Sequence, residues 1–279
     1  MRQRGRLRLI ASAGVAILAG LQTAHADSKL EAHYVASLAG IPIGSGTWIV
    51  DVGEGRYLAA ASGSTTGLLR VFLGGQGTSA ARGILSGGHL VSSTYAATIN
   101  TQDASSSVRL TISDGNVKDA KVEPPVDQDP ERVPITREHE KGVLDPMTAS
   151  LIRAPGTGSA LTPEACNRTL SIFDGRLRYD LKLAFKRMDN VHAQQGYVGA
   201  AVVCSVGFEP LAGHIPSRTA MKYLMKQRDI EVWLAPIGTT RVLVPFRAEG
   251  PTPIGKAVLE ATQFVSVATP TPATAEKQK

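Results

Sequence analysis

The feature that most constrains this chain is a two-residue alternation of apolar and polar side chains. Its clearest instance sets Leu177, Tyr179, Leu181, Leu183 and Phe185 against Arg176, Arg178, Asp180, Lys182 and Lys186. Successive strand side chains point to opposite faces, so such a segment has one face to cover and one to leave in water. The pattern recurs at Val108, Leu110 and Ile112, at Ile230, Val232 and Leu234, and at Val242, Val244 and Phe246. Near the start, Trp48, Val50 and Val52 share a face while Asp51 points away. A long series of half-apolar strands hides its apolar side by rolling up. The expected fold is therefore mainly β, with one large, strongly curved antiparallel sheet (an open barrel or β-spiral) and one to three short helices.

Turn chemistry separates the strands at Gly53-Glu54-Gly55, Gly87-Gly88, Asp114-Gly115 and Asp174-Gly175. Asp-Gly suits the two positive-φ positions of a tight hairpin turn. A two-residue turn at Asp174-Gly175 pairs Ile172 with Leu177 and Leu170 with Tyr179, all on one face, as a half-buried hairpin requires. At Asp114-Gly115 the same test joins Ile112 to Val117 but then sets Leu110 against Asp119. A bulge or a different turn is needed there.

Asp145-Pro146 reads as an N-cap with proline in the first turn, opening a helix through about Arg153. Thr66 to Leu73 and Arg218 to Lys226 are weaker helical candidates. Glu123 to Gly142 carries Pro124, Pro125, Pro130 and Pro134 and reads as a long surface loop. Residues 268–279 are Pro/Thr/Ala-rich, then charged, and read as a disordered tail. A single β-rich domain over 27–267 is expected between that tail and an N-terminal signal.

The signal reading rests on residues 1–26. Arg2, Arg4, Arg6 and Arg8 precede an apolar run from Leu9 to Leu21, and Ala24-His25-Ala26 offers the small-x-small pattern of a cleavage site. Cleavage between Ala26 and Asp27 is expected. The apolar run is shorter than the ~20 residues that span a bilayer, and no later segment is long enough, so the mature chain is not expected to cross a membrane. Four of the 30 Lys and Arg residues lie in the signal, leaving 26 against 24 acidic residues. That small excess, without a dense basic run, gives no footing for nucleic-acid binding.

Cys166 and Cys204 are the two cysteines. In an exported chain an even count favours a disulfide, here ahead of an intermolecular bridge and of two buried thiols. Cys166 has the parity of Leu170 and Ile172, and Cys204 that of Val202, Val206 and Phe208. Both are thus expected on apolar faces of neighbouring strands.

Catalytic patterns are scarce. There is no Gly-x-Ser-x-Gly elbow, Ser-x-x-Lys pair, His-Glu-x-x-His or phosphate loop. His33, His89, His139, His192 and His214 lack ligand spacing, so no metal or other cofactor is expected. His139 reads as part of a charged loop and His214 as a loop histidine. Asp174 belongs to its turn and Asp180 to a solvated strand face. Asn167-Arg168-Thr169 matches a glycosylation sequon, without meaning in a bacterial host.

Gly40-Ile41-Pro42-Ile43-Gly44, Leu144-Asp145-Pro146-Met147-Thr148-Ala149, Phe173-Asp174-Gly175-Arg176 with Arg178-Tyr179-Asp180-Leu181, and Cys204 followed by Glu209-Pro210-Leu211-Ala212-Gly213-His214 together carry a resemblance. Over about His33 to Ser266 the chain resembles an exported bacterial family catalogued as domain of unknown function 3108. That resemblance implies a periplasmic β-rich domain and carries over no catalytic residue. By looser analogy the chain is similar to open β-barrels and β-spirals that bind lipoproteins or support envelope integrity.

The functional expectation is a non-enzymatic periplasmic envelope protein holding a lipid, another amphiphile or a lipoprotein segment in an apolar groove. Trp48, Trp233 and Phe246 are its candidate lining residues, with core filling as the competing role of each. A partner-binding scaffold in cell-wall or outer-membrane assembly, using the proline-rich loop or an edge strand to contact an envelope protein, is the alternative. A hydrolase comes last.

Overall fold

The computed structural model describes residues 27–53, 55–66 and 74–269. Residues 1–26, where the signal and its Ala26 are expected, residues 67–73 of the Thr66 to Leu73 helical candidate, and residues 270–279 lie outside the described residues. The strands are β1 (Asp27–Leu38), β2 (Ile41–Gly53), β3 (Arg56–Thr65), β4 (Gly75–Ser86), β5 (His89–Thr101), β6 (Ser105–Ser113) and β7 (Asn116–Glu123). Then follow α1 (Pro146–Ala149), β8 (Ile152–Arg153), β9 (Arg168–Phe173), β10 (Arg178–His192), β11 (Gln195–Gly196) and β12 (Val198–Ala212). The chain continues with α2 (Thr219–Lys226), β13 (Glu231–Pro236), β14 (Val242–Thr252) and β15 (Gly255–Thr269).

One sheet takes all the strands, in the order β7-β6-β5-β4-β3-β2-β1-β15-β14-β13-β12-β10-β9, with β8 and β11 attached to β14 and β15. The path is antiparallel throughout, and β7 and β9 do not pair with each other, so the curved sheet stays open. Residues 143 and 144 occupy the seam. Val143 donates to the Gly115 carbonyl at 2.8 Å, and Leu144 exchanges bonds with Ser171 and Phe173 on the β9 side. Val143 and Phe173 pack there with Val108, Leu110 and Ile112.

The main core draws residues from both arms, Leu30, Val50, Tyr57 and Ala81 meeting Val203, Trp233, Val244 and Phe246, and this identifies the concave face. A second core lies behind one arm. Val202, Cys204, Val232, Leu234 and Leu243 are covered there by Ile152, Ala154, Ala165 and Cys166. This corrects the simple one-sided reading: β12, β13 and β14 are buried on both faces because the segment between α1 and β9 wraps their backs. The Cys166–Cys204 disulfide, with Cα atoms 5.4 Å apart, staples that wrap to β12. Cys166 caps the short 3-10 turn Pro163–Ala165 and precedes β9, so the strand parity assigned to it does not apply.

Other local expectations shift. The Asp174-Gly175 connection is a four-residue turn, with Phe173 opposite Arg178 and Ile172 opposite Tyr179. The register moves by two, so faces are preserved. The cause is Asp174, whose Oδ1 accepts the N–H groups of both Arg176 and Leu177 at 2.7 Å. At Asp114-Gly115 the tight turn and the bulge both occur, with the shift between Thr111 and Ile112. On β10 the alternation is imperfect, since Arg178 is 8% exposed and Phe185 36%. The helix opened by Asp145 stops at Ala149, because Ile152 and Arg153 pair with Leu243 and Val242. Ala268 and Thr269, expected in the disordered tail, are instead strand residues opposite Ser28 and Asp27. The proline-rich loop contains a 3-10 turn at Arg137–Glu140, in which His139 Nδ1 accepts the Thr136 N–H.

Candidate functional site

Packing is uneven along the concave face. At one end, Leu30, Val50, Ala59 and Ala81 lie opposite one another on successive strands and are buried. Toward the other end the rows lose their side chains. Tyr34 faces Gly46, Gly46 faces Gly63, and Gly63 faces Gly77, so three neighbouring strands present bare backbone. The strands approach closely there: a Cβ on Gly46 would lie 2.7 Å from the Ser62 carbonyl oxygen.

This bald end forms a cleft of about 400 Å3, lined by Tyr34, Ala36, Gly44, Gly46, Trp48, Ala61 and Gly63, by Leu259 beside Ala36 on β15, and by Met147, Ser150 and Pro245. The volume falls within the ~300–1,000 Å3 range of small-molecule pockets. Trp48 is 7% exposed, and Leu259, at 41%, stands at the rim. Tyr34 donates its hydroxyl to the Pro245 carbonyl at 2.6 Å, and burial raises its pKa far above the ordinary phenol range. That bond ties β1 to β14 across the interior.

Met147 reaches the cleft because α1 is held inside the curved sheet. Asp145 accepts from the Thr148 N–H at 2.9 Å, from the Thr148 hydroxyl at 2.5 Å and from Ser92 at 2.6 Å. Tyr57 lies 2.6 Å from the Thr148 hydroxyl. Since that hydroxyl proton goes to Asp145, Tyr57 is the donor to Thr148. Burial, with the Asp145 charge adding to it, holds the Tyr57 phenol far above its usual range. All four side chains are buried in the fold and none lines the cleft.

The opposite face of the same strands bears a polar cleft of about 590 Å3, with His33, Ser45, Thr47, Ser62, Gln76, Thr78 and Asn100 among its lining residues. The His33 ring bonds to Glu31 at 3.3 Å and to no lining hydroxyl among the described residues, while the Thr262 hydroxyl donates to the His33 backbone carbonyl at 3.2 Å. Among the described residues, neither cleft pairs a side-chain nucleophile with the imidazole or a carboxylate base.

Of the three aromatic candidates, Trp48 lines the apolar cleft and the other two do not. Phe246 is wholly buried, its ring centroid 5.5 Å from that of Phe264. Trp233 sits in the core with its Nε1 proton on Asp189 at 2.9 Å and the Arg187 and Arg247 guanidinium groups 5.2 and 5.1 Å from its ring. Cys166 and Cys204 lie in the second core, and Asp27 opens β1. Sequence reasoning passed over the cleft's glycines and alanines. The available signal was glycine alternating with serine or threonine in Gly44-Ser45-Gly46-Thr47 and Ser62-Gly63-Ser64.

No group of three or more His, Cys, Asp or Glu residues positioned to hold a metal occurs among the described residues, and no described helix is long and apolar enough to cross a membrane. No curated protein matches the chain. A solved structure described as a beta-barrel-like protein of domain of unknown function DUF1849 from Brucella abortus is 8% identical. Its alignment covers 88% of this chain and 99% of that one, with a TM-score of 0.45. The family model described as "Protein of unknown function (DUF3108)" matches residues 31–262. Most of the sheet, both cysteines and the whole apolar cleft fall within that match, and the chain belongs to the DUF3108 family.

Proposed function

We propose that this chain is a non-enzymatic binding protein of the bacterial periplasm that holds the tail of a single-chain amphiphile, or an acylated lipoprotein segment, in the apolar cleft. The carrying observation is the lining itself: Ala36, Trp48, Ala61, Met147 and Leu259 surround a space that no described side chain fills. A disulfide suits an oxidising compartment, and the N-terminal pattern suits export. The scaffold alternative has less support, because its loop is packed down through Val133, which bonds to His214 and Gly213, and through Ile135, which packs on Val143 and Phe173.

The test is a chain-length series. Each methylene taken from water contributes about 0.8 kcal/mol, so affinity for saturated amphiphiles should rise about fourfold per carbon until the cleft is full. Leu259→Asp at the rim should weaken every member. A flat series, or a rise that Leu259→Asp leaves unchanged, would remove this reading.

A further inference from the structure

The outer end of the apolar cleft runs into two hairpin tips that carry no charge. Ala36 lies at that end, opposite Gly44 on β2 and Leu259 on β15, and all three line the cleft. Two residues further out, Leu38 faces Ile41 and Ala257. The β1–β2 and β14–β15 turns then meet: the Ala39 N–H donates to the Lys256 carbonyl at 2.9 Å, and a Cβ on Gly255 would lie 2.7 Å from that of Ala39. Ile254, 72% exposed, and Ile41, 67% exposed, stand on these tips and are the most exposed large apolar residues among those described. No charged residue occurs from Tyr34 to Val50 or from Gly250 to Gly255. By contrast, the β4–β5 and β6–β7 turns at the far end of the sheet bring His89 and Asp114 to the surface.

Exposed apolar side chains gathered at one place mark a contact with protein or membrane. The patch is too small for a protein. Ala39 to Pro42 and Pro253 to Gly255 are seven exposed residues, against about 20–30 a side in a stable protein interface. A bilayer sets no such minimum, since reversible contact grows with whatever apolar area enters it. Behind the tips, Lys256 is paired with Glu249 at 2.7 Å, so the contact is apolar and calls for no charged partner. Resting on the amphiphile reading above, we propose that the cleft loads and unloads at a lipid bilayer. Ile41 and Ile254 enter the bilayer surface at the mouth, and a hydrocarbon chain passes between membrane and cleft along Leu259 without crossing water.

The test compares the mature chain with its Ile41→Ser/Ile254→Ser variant on two probes. One is vesicles of phosphatidylethanolamine with phosphatidylglycerol, scored by co-flotation; the other is 1-monododecanoylglycerol in solution, without vesicles. The parent should float with the vesicles and still do so in about 0.5 M NaCl, where exposed charges are screened. The double variant should bind vesicles about tenfold more weakly or worse, while its affinity for 1-monododecanoylglycerol moves less than twofold. A parent that does not float, a variant that floats equally well, or flotation abolished by salt overturns bilayer docking and leaves the amphiphile reading standing. So does self-association of the parent that the two substitutions remove without any vesicle binding, which would give the tips to a second copy. Equal weakening on both probes means that the tips act through the cleft, and it too overturns docking. Failure of the parent to bind 1-monododecanoylglycerol overturns the amphiphile reading, and the loading step with it, whatever the vesicles show.

Discussion

Ser92 and Asp145 are bonded in both directions. The Ser92 hydroxyl donates to Asp145 Oδ2 at 2.6 Å and accepts the Asp145 backbone N–H at 3.2 Å. A four-residue helix has no stability of its own, so α1 stays inside the sheet because β5 and the Asp145 cap on the Thr148 N–H hold it there. Ser92→Ala should lower stability by about 1–3 kcal/mol, by removing a donor from a buried carboxyl group. Asp145→Ala should cost more, since it strands Ser92, Thr148 and the helix N-terminus together. In urea unfolding the double variant should lose less than the sum of the two. Simple additivity would mean that the two residues act independently.

Reducing the Cys166–Cys204 disulfide releases a wrap rather than a strand. The bridge spans 38 residues of sequence, which the chain-entropy treatment values at about 4 kcal/mol. The Cys166→Ser/Cys204→Ser variant should unfold at correspondingly lower urea. Its earliest hydrogen exchange should appear in residues 152–166 and on the back of β12, while β1 to β5 keep their protection. Uniform loss of protection over both arms would contradict this separation.

His214 moors the long loop. Its carbonyl accepts the Val133 N–H at 2.9 Å, and Gly213 donates to the Val133 carbonyl at 2.8 Å. Burial holds the imidazole pKa below its ordinary 6.5, with Nδ1 unpartnered among the described residues. The unfolded chain therefore takes up this proton first as pH falls. The stability contributed by neutral His214 is complete above 6.5, declines below it, and is gone once the pH has passed the folded-state value. Urea midpoints measured from pH 7.5 to 5.5 should fall in the parent and fall less in His214→Gln. An equal fall in both would assign the loss to other groups.

Gly175 holds the turn between β9 and β10 against the far arm. Its φ is +92°, and a Cβ there would lie 2.6 Å from Val108 Cγ1. Gly175→Ala should cost roughly 2 kcal/mol or more, combining an unfavourable backbone with overpacking of the seam. A companion Val108→Ala should recover part of that cost, and thermal melts of the two single variants and the double variant would measure it.

How much of this could be read in advance depended on whether a face met water. On β1, Leu30 and Ala32 are buried and Lys29 and Glu31 are exposed, so alternation and fold agree directly. On β13 the same kind of alternation misleads, because Trp233 and Ala235 enter one core while Val232 and Leu234 enter another. Nothing local in residues 150–166 announces that they lie over that back face; the covering is a tertiary event. The Asp174 turn was legible as a turn but not in length, since its side chain competes for two backbone N–H groups. The cleft was least legible. Apolar patterning marks where side chains pack, whereas this site exists where Gly44, Gly46 and Gly63 supply none.

The place of β1 and β15 has a consequence for the order of assembly. Every other neighbouring pair along the main sheet path joins strands close in sequence, but β1 to β15 joins Asp27 to Thr269 and Leu38 to Ala257 in the middle of the sheet. A chain emerging N-terminus first carries β1 with one row of backbone donors and acceptors open until the last strand arrives, which favours slow closure and an aggregation-prone interval. A chain cut short before β15 would not lose an edge. It would come apart down the centre, leaving β1 to β7 and β9 to β14 as two meanders with no ladder between them.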